Sequence, residues 1–155
     1  MTLPIPCQRY VVGLEKQKPL VSFVIKSAYM PKYMLYLIKS IVRQHYRPLE
    51  IIIVGINNPL IQRIIREVHQ FKDSYISIKT VILNRDPGVA VVQNIGFYLS
   101  KGDIVIFVDD DVYLPNDDII SQIVDIFEKN GDICIIGVQL RDLENPVIIQ
   151  SVNYL

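Results

Sequence analysis

The stretch Ile104-Val105-Ile106-Phe107-Val108-Asp109-Asp110-Asp111 joins five uninterrupted apolar residues to three consecutive aspartates. A short, β-branched run of this kind reads as a strand buried on both faces of a parallel sheet. Carboxylates at the C-terminal end of such a strand fall in the crevice where open α/β sheets bind ligands. Three adjacent negative charges repel one another, and burial raises their pKa values unless a positive charge arrives. A divalent cation answers that need, because it takes hard oxygen ligands and often shares them with a phosphate. The competing reading is a solvated turn that caps a helix near Asn116, since Asp is common at turns and N-caps.

Outward from this strand, apolar runs alternate with amphipathic stretches. Val21 to Ile25 is a first buried strand. Pro31 suits a helix's first turn, and Met34, Leu37, Ile38, Ile41 and Val42 follow at helical spacing. A second strand is predicted over Glu50 to Val54, and a helix from Pro59 carries Ile61, Ile64, Ile65, Val68 and Phe71 on one face. Ser77 to Leu83 reads as a third strand. Gly88 precedes a helix reaching about Ser100, with Val89, Val92, Ile95, Gly96 and Leu99 directed inward. Beyond the aspartates, Asn116 to Lys129 is a further helix, Ile133 to Val138 a fifth strand, and Val147 to Val152 a last strand or an apolar tail. This alternation predicts an α/β fold with a mainly parallel sheet and right-handed crossovers, formed by residues 1–155 as a single domain with an irregular lead over 1–19.

Composition narrows the function. Half of the 155 residues are hydrophobic, but they fall in short runs, none near the roughly 20 apolar residues of a membrane span. Sixteen basic and sixteen acidic residues balance, which argues against a general nucleic-acid binder. No secretory signal is visible at the N-terminus, and Cys7 and Cys134 form no metal-spaced motif; Cys134 reads as a small buried hydrophobe. A reducing setting is expected, the cytoplasm or the cytoplasmic face of a membrane. Neither G-x-G-x-x-G after the first strand nor G-x-x-x-x-G-K-[ST] occurs, so a nucleotide would be held through carboxylates and a metal. His45 and His69 lie late in amphipathic helices, where a surface histidine is the default.

Several segments carry a resemblance. They are Pro19-Leu20-Val21-Ser22-Phe23-Val24-Ile25, then Ile41-Val42-Arg43-Gln44-His45-Tyr46 and Leu49-Glu50-Ile51-Ile52-Ile53-Val54. The strongest match runs from Asn84-Arg85-Asp86-Pro87-Gly88-Val89-Ala90 through Gln93-Asn94-Ile95-Gly96 and Lys101-Gly102-Asp103 to Asp109-Asp110-Asp111. Taken in order, these resemble family 2 glycosyltransferases of the Rossmann-like GT-A fold over residues 19–140. The resemblance implies a metal-dependent, inverting transfer of a sugar from a UDP- or GDP-type donor to an acceptor that is a sugar, a lipid-linked group or a protein. It makes Asp111 the first choice for a Mn2+ or Mg2+ ligand, Asp109 a contact to the ribose or the metal, and Asp110 a donor-site residue of undefined role. Gly88 would let the nucleotide approach closely.

The chain departs from that pattern at several places. Lys26-Ser27-Ala28-Tyr29-Met30 replaces a Pro-Thr/Ala-Tyr-Asn type segment, and Gln93 stands where Arg is common. Gly55-Ile56-Asn57-Asn58-Pro59 replaces the segment whose Asp recognises the base, leaving Asn57 or Asn58 for that contact. A general base would come from a later segment, for which Asp142 and Glu144 are weak candidates against a solvated loop. A non-catalytic module, or one completed by a partner subunit or a second copy, is the alternative. A more distant one is a Mg2+-dependent phosphatase of the haloacid-dehalogenase type, with Asp109 as nucleophile.

Overall fold

The computed structural model describes residues 17–27, 31–138, 140, 141 and 148–150. It forms two units. In the larger, Gly13–Gln122, the order is β1 (Val21–Ser27), α1 (Pro31–Val42), β2 (Leu49–Ile56), α2 (Pro59–Val68), a 3-10 turn at His69–Phe71, β3 (Ile76–Leu83), α3 (Val89–Leu99) and β4 (Ile104–Asp109), with the start of α4 (Ile119–Lys129). The four strands form one parallel sheet in the order β3-β2-β1-β4. Successive β1–α1–β2 and β2–α2–β3 crossovers move in one direction along the sheet, whereas β3–α3–β4 returns past them. Right-handed crossovers therefore put α1 and α2 on one face and α3 on the other.

The core follows from sequence periodicity. In α1, Met34, Leu37, Ile38 and Ile41 are fully buried at i, i+3, i+4 and i+7. In α2, the Asn58 side-chain oxygen caps Ile61 N at 2.8 Å, Pro59 occupies the first turn, and Ile61, Ile64 and Val68 are buried. On the other face, Val24, Ile52 and Val54 pack with Val92 of α3. Here α3 sits so close to β1 that a Cβ on Gly96 would lie 2.2 Å from Val24 Cγ1. Gly96→Ala is expected to destabilise the fold by about 2 kcal/mol through overpacking, read as a lower denaturant midpoint at unchanged m-value.

Several expectations are corrected. Among the described residues β4 pairs with β1 alone, and it is not buried on both faces: each of its residues is at least partly exposed, Phe107 at 47%. The apolar run was legible, but a strand's place in the sheet depends on partners that no local pattern specifies. Ile133–Val138 forms no strand, and Ile135 is 86% exposed. A strand needs a ladder partner, and these residues have none among the described ones. Cys134 is correspondingly exposed rather than buried. Val89 and Leu99 of α3 are also exposed, leaving Val92 and Gly96 as its buried residues. α4 begins at Ile119 instead of Asn116, because the Asn116 side chain accepts from Asp118 N at 3.2 Å and holds a turn before the helix.

The other unit's described part begins at Ile123. It holds most of α4, with Lys129 paired to Asp125 at 2.9 Å, and an antiparallel pair of short strands, β5 (Leu140–Arg141) and β6 (Ile148–Gln150). The last strand expected over Val147 to Val152 is thus present as Ile148–Gln150. Among the described residues, no helix is long and apolar enough to cross a membrane.

Candidate functional site

The C-terminal ends of the parallel strands bring the donor-site candidates to one edge of the sheet. Asp109 ends β4, in register with Lys26 of β1, while Ser27 of β1 is in register with Gly55 of β2 and Gly55 with Ile82 of β3. Asn57 and Asn58 follow β2, and Gly88 lies between β3 and α3. This edge is where open α/β sheets bind ligands.

The three aspartates differ in environment. Asp109 and Asp111 are exposed, whereas Asp110 is buried and accepts a hydrogen bond from Ser27 Oγ at 2.5 Å. Burial pushes the Asp110 carboxyl above its ordinary range; the Ser27 hydrogen bond opposes that rise, and the charges of Asp111 and Asp109 add to it. Asp110 therefore anchors the turn inward while its neighbours project outward. Ser27→Ala is expected to leave Asp110 without this partner and to cost about 1–3 kcal/mol, measured as a fall in thermal midpoint.

The loop after the triad is held by the end of α1. Arg43 pairs through Nε with Asp117, donates from Nη1 to Tyr113 Oη at 3.1 Å and stacks over the Tyr113 ring. Buried Gln44 donates to Asn116 O at 2.5 Å and accepts from Ile120 N at 3.2 Å. Ser40 Oγ accepts from Leu114 N, and His45 N donates to Asp117 O. None of these residues carried a site assignment in the sequence, although Arg43-Gln44-His45 belongs to a segment quoted for the resemblance. His45 is exposed and faces Asp118, and His69 begins the 3-10 turn after α2.

The two asparagines separate. Asn58 spends both ends of its amide locally, its oxygen on Ile61 N and its nitrogen on Ile56 O. Asn57 is exposed, and its amide oxygen accepts from Gln62 Nε2 at 2.9 Å. Gly88 has φ of +92°, a conformation that favours glycine, and a Cβ there would meet nothing within 4 Å. The glycine thus serves the backbone turn into α3 and leaves open space. Asp142 and Glu144 lie outside the described residues.

The donor set suits a hard divalent cation. Exposed Asp109 and Asp111 offer carboxylate oxygens at one turn, and the described residues gather no group of three or more His, Cys, Asp or Glu. Mg2+ in particular is commonly bound through one or two carboxylates, with water and substrate phosphates completing the shell.

Comparison with known proteins agrees with this architecture. The model of the family described as glycosyl transferase family 2 matches residues 22–152. A glucosyl-dolichyl phosphate glucuronosyltransferase of Haloferax volcanii is 30% identical over 122 residues, covering 76% of this chain and 37% of that protein. Among solved structures, the mannosyltransferase PcManGT of Pyrobaculum calidifontis, in complex with GDP-Man and Mn2+, aligns with a TM-score of 0.66 at 18% identity, over 72% of this chain and 33% of that one. TarS 1-349 of S. aureus in complex with UDP-GlcNAc aligns with a TM-score of 0.60 at 20% identity, over 70% and 31%. The chain thus spans about a third of the length of these relatives. By its sequence match and its parallel sheet, the chain belongs to glycosyl transferase family 2 and has the GT-A fold.

Proposed function

We propose that the chain binds a nucleoside-diphosphate sugar of the UDP or GDP type at the C-terminal edge of its sheet and serves sugar transfer, with inversion, to an acceptor. The observation that carries this reading is the outward pair Asp109 and Asp111, flanking a buried Asp110 that Ser27 anchors. Asp111, with Asp109, would hold Mn2+ or Mg2+, which when bound neutralises charge on the departing diphosphate. Asn57 is the better candidate for the base, since the Asn58 amide is committed to the α2 cap. Sugar nucleotides in two related structures, one of them with Mn2+, support the donor class. The relative named for a dolichyl-phosphate compound supports a lipid-linked acceptor over a free sugar or a protein.

A module completed by a partner subunit or a second copy shares this donor site, so the two readings separate on turnover and not on binding. The family match leaves the haloacid-dehalogenase reading without support. The test is calorimetry with UDP- and GDP-sugars, with Mn2+ and in EDTA, followed by donor-hydrolysis and transfer assays. Metal-enhanced binding of one donor is expected. Absence of binding to every donor with either metal would overturn the reading.

A further inference from the structure

β1 lies between β2 and β4, so its last residues stand in the middle of the C-terminal edge. Lys26 is in register with Val54 on one side and Asp109 on the other. In-register neighbours in a parallel sheet share a face, and residues alternate between faces along a strand. Two contacts fix which face this is: Val24 meets Gly96 of α3, and Ser22 Oγ accepts from Gly102 N. Even-numbered residues of β1 therefore project on the α3 side, and Lys26 shares it with Asp109. Ser27 and Asp110, joined by their hydrogen bond, take the other side.

Lys26 is half-buried at the end of a strand that is otherwise apolar apart from its serines. Its side chain makes no hydrogen bond or ion pair with any of the described residues, Asp109 included. An ammonium carries three donors, and a lysine can cover its stem while keeping the charged head open to a ligand. Adjacent strands are about 4.8 Å apart, which a four-carbon stem can bridge. The position thus supplies a positive charge, unpaired among the described residues, one strand away from the carboxylates assigned to the metal.

We infer that Lys26 contacts the diphosphate of the nucleotide donor, adding a positive charge of the chain's own to the one the metal brings. The inference rests on the donor reading above. A lysine suits this ligand because it binds phosphate as a point charge with rotatable donors. It follows that part of the affinity for a nucleoside diphosphate survives removal of the metal.

The test titrates UDP, GDP, inorganic pyrophosphate and the nucleosides uridine and guanosine into wild type, Lys26→Met and Lys26→Arg, in EDTA and with Mn2+. Lys26→Met is expected to weaken the nucleoside diphosphate and pyrophosphate about tenfold or more in both conditions, the worth of one charge-assisted hydrogen bond. Lys26→Arg should retain most of the affinity, and the nucleosides should bind all three proteins alike. Unchanged diphosphate binding in Lys26→Met overturns the inference and leaves the donor reading intact. An equal loss for the nucleosides also overturns it, because Lys26 would then act on the base or the fold. Failure of wild type to bind either nucleoside diphosphate with Mn2+ present overturns the donor reading, and this inference with it.

Discussion

Asp111→Ala is expected to abolish the metal-dependent part of donor binding while leaving the fold's thermal midpoint nearly unchanged. Asp111 is exposed and makes no hydrogen bond or ion pair with the described residues, so its removal takes nothing from the core. Its value lies in what it offers a cation. Groups that merely orient a metal ligand are worth about 10–100-fold in metal affinity, so loss of the ligand itself should cost about 100-fold or more. In calorimetry with Mn2+, the variant's affinity for the preferred sugar nucleotide should fall to the level that wild type shows in EDTA. Asp109→Ala should show the same direction. Asp110→Ala should instead lower thermal stability, because it removes a buried group that Ser27 holds. Equal metal enhancement in wild type and Asp111→Ala would remove Asp111 from the site.

How far the sequence led can be read from these residues. Strand and helix positions in the sheet unit were legible because apolar period decides them, and Met34, Leu37, Ile38 and Ile41 are buried at the expected spacing. The placing of Asp109 to Asp111 at a strand end was legible for the same reason. Four other features were not. The place of β4 in the sheet depends on strand order, a non-local property. Ile133–Val138 shows that an apolar run with no ladder pairing to the described residues is not a strand. The division of labour inside the triad, with Asp110 inward and its neighbours outward, depends on Ser27, which is 83 residues away in sequence. Asn57 and Asn58 look equivalent as letters, and only the cap geometry of α2 separates them.

The opposite end of the sheet carries the second large effect. Glu50 is only 2% exposed, yet it is fully engaged: Ser22 Oγ donates to Oε2 at 2.7 Å, Lys101 N donates to the same oxygen at 2.8 Å, and Lys79 Nζ lies 2.6 Å from Oε1. One carboxylate thus ties β1, β2, β3 and the turn between α3 and β4. Burial pushes the Glu50 carboxyl up, but the hydrogen bonds from Lys79, Ser22 and the Lys101 backbone outweigh it and hold it below its ordinary value of 4.5. Because Lys79 is 32% exposed, solvent screens the ion pair, and the two hydrogen bonds from Ser22 and Lys101 carry much of the effect. Glu50→Ala leaves buried Ser22 and the Lys101 N–H without their acceptor and Lys79 without its ion-pair partner, at an expected cost of about 3 kcal/mol. For a chain of this size that is a fall of roughly 10 °C in thermal midpoint. The sign of the pH dependence follows from the depressed value. The folded state binds fewer protons at Glu50 than the unfolded chain does, so its contribution is fully present above pH 4.5 and is lost as the pH falls through the lower, folded-state value. Glu50→Gln should therefore be less stable than wild type at pH 7, and the gap should narrow on acidification below 4.5. A gap that stayed constant from pH 7 to pH 3 would show that the charge on Glu50 contributes nothing to the clamp.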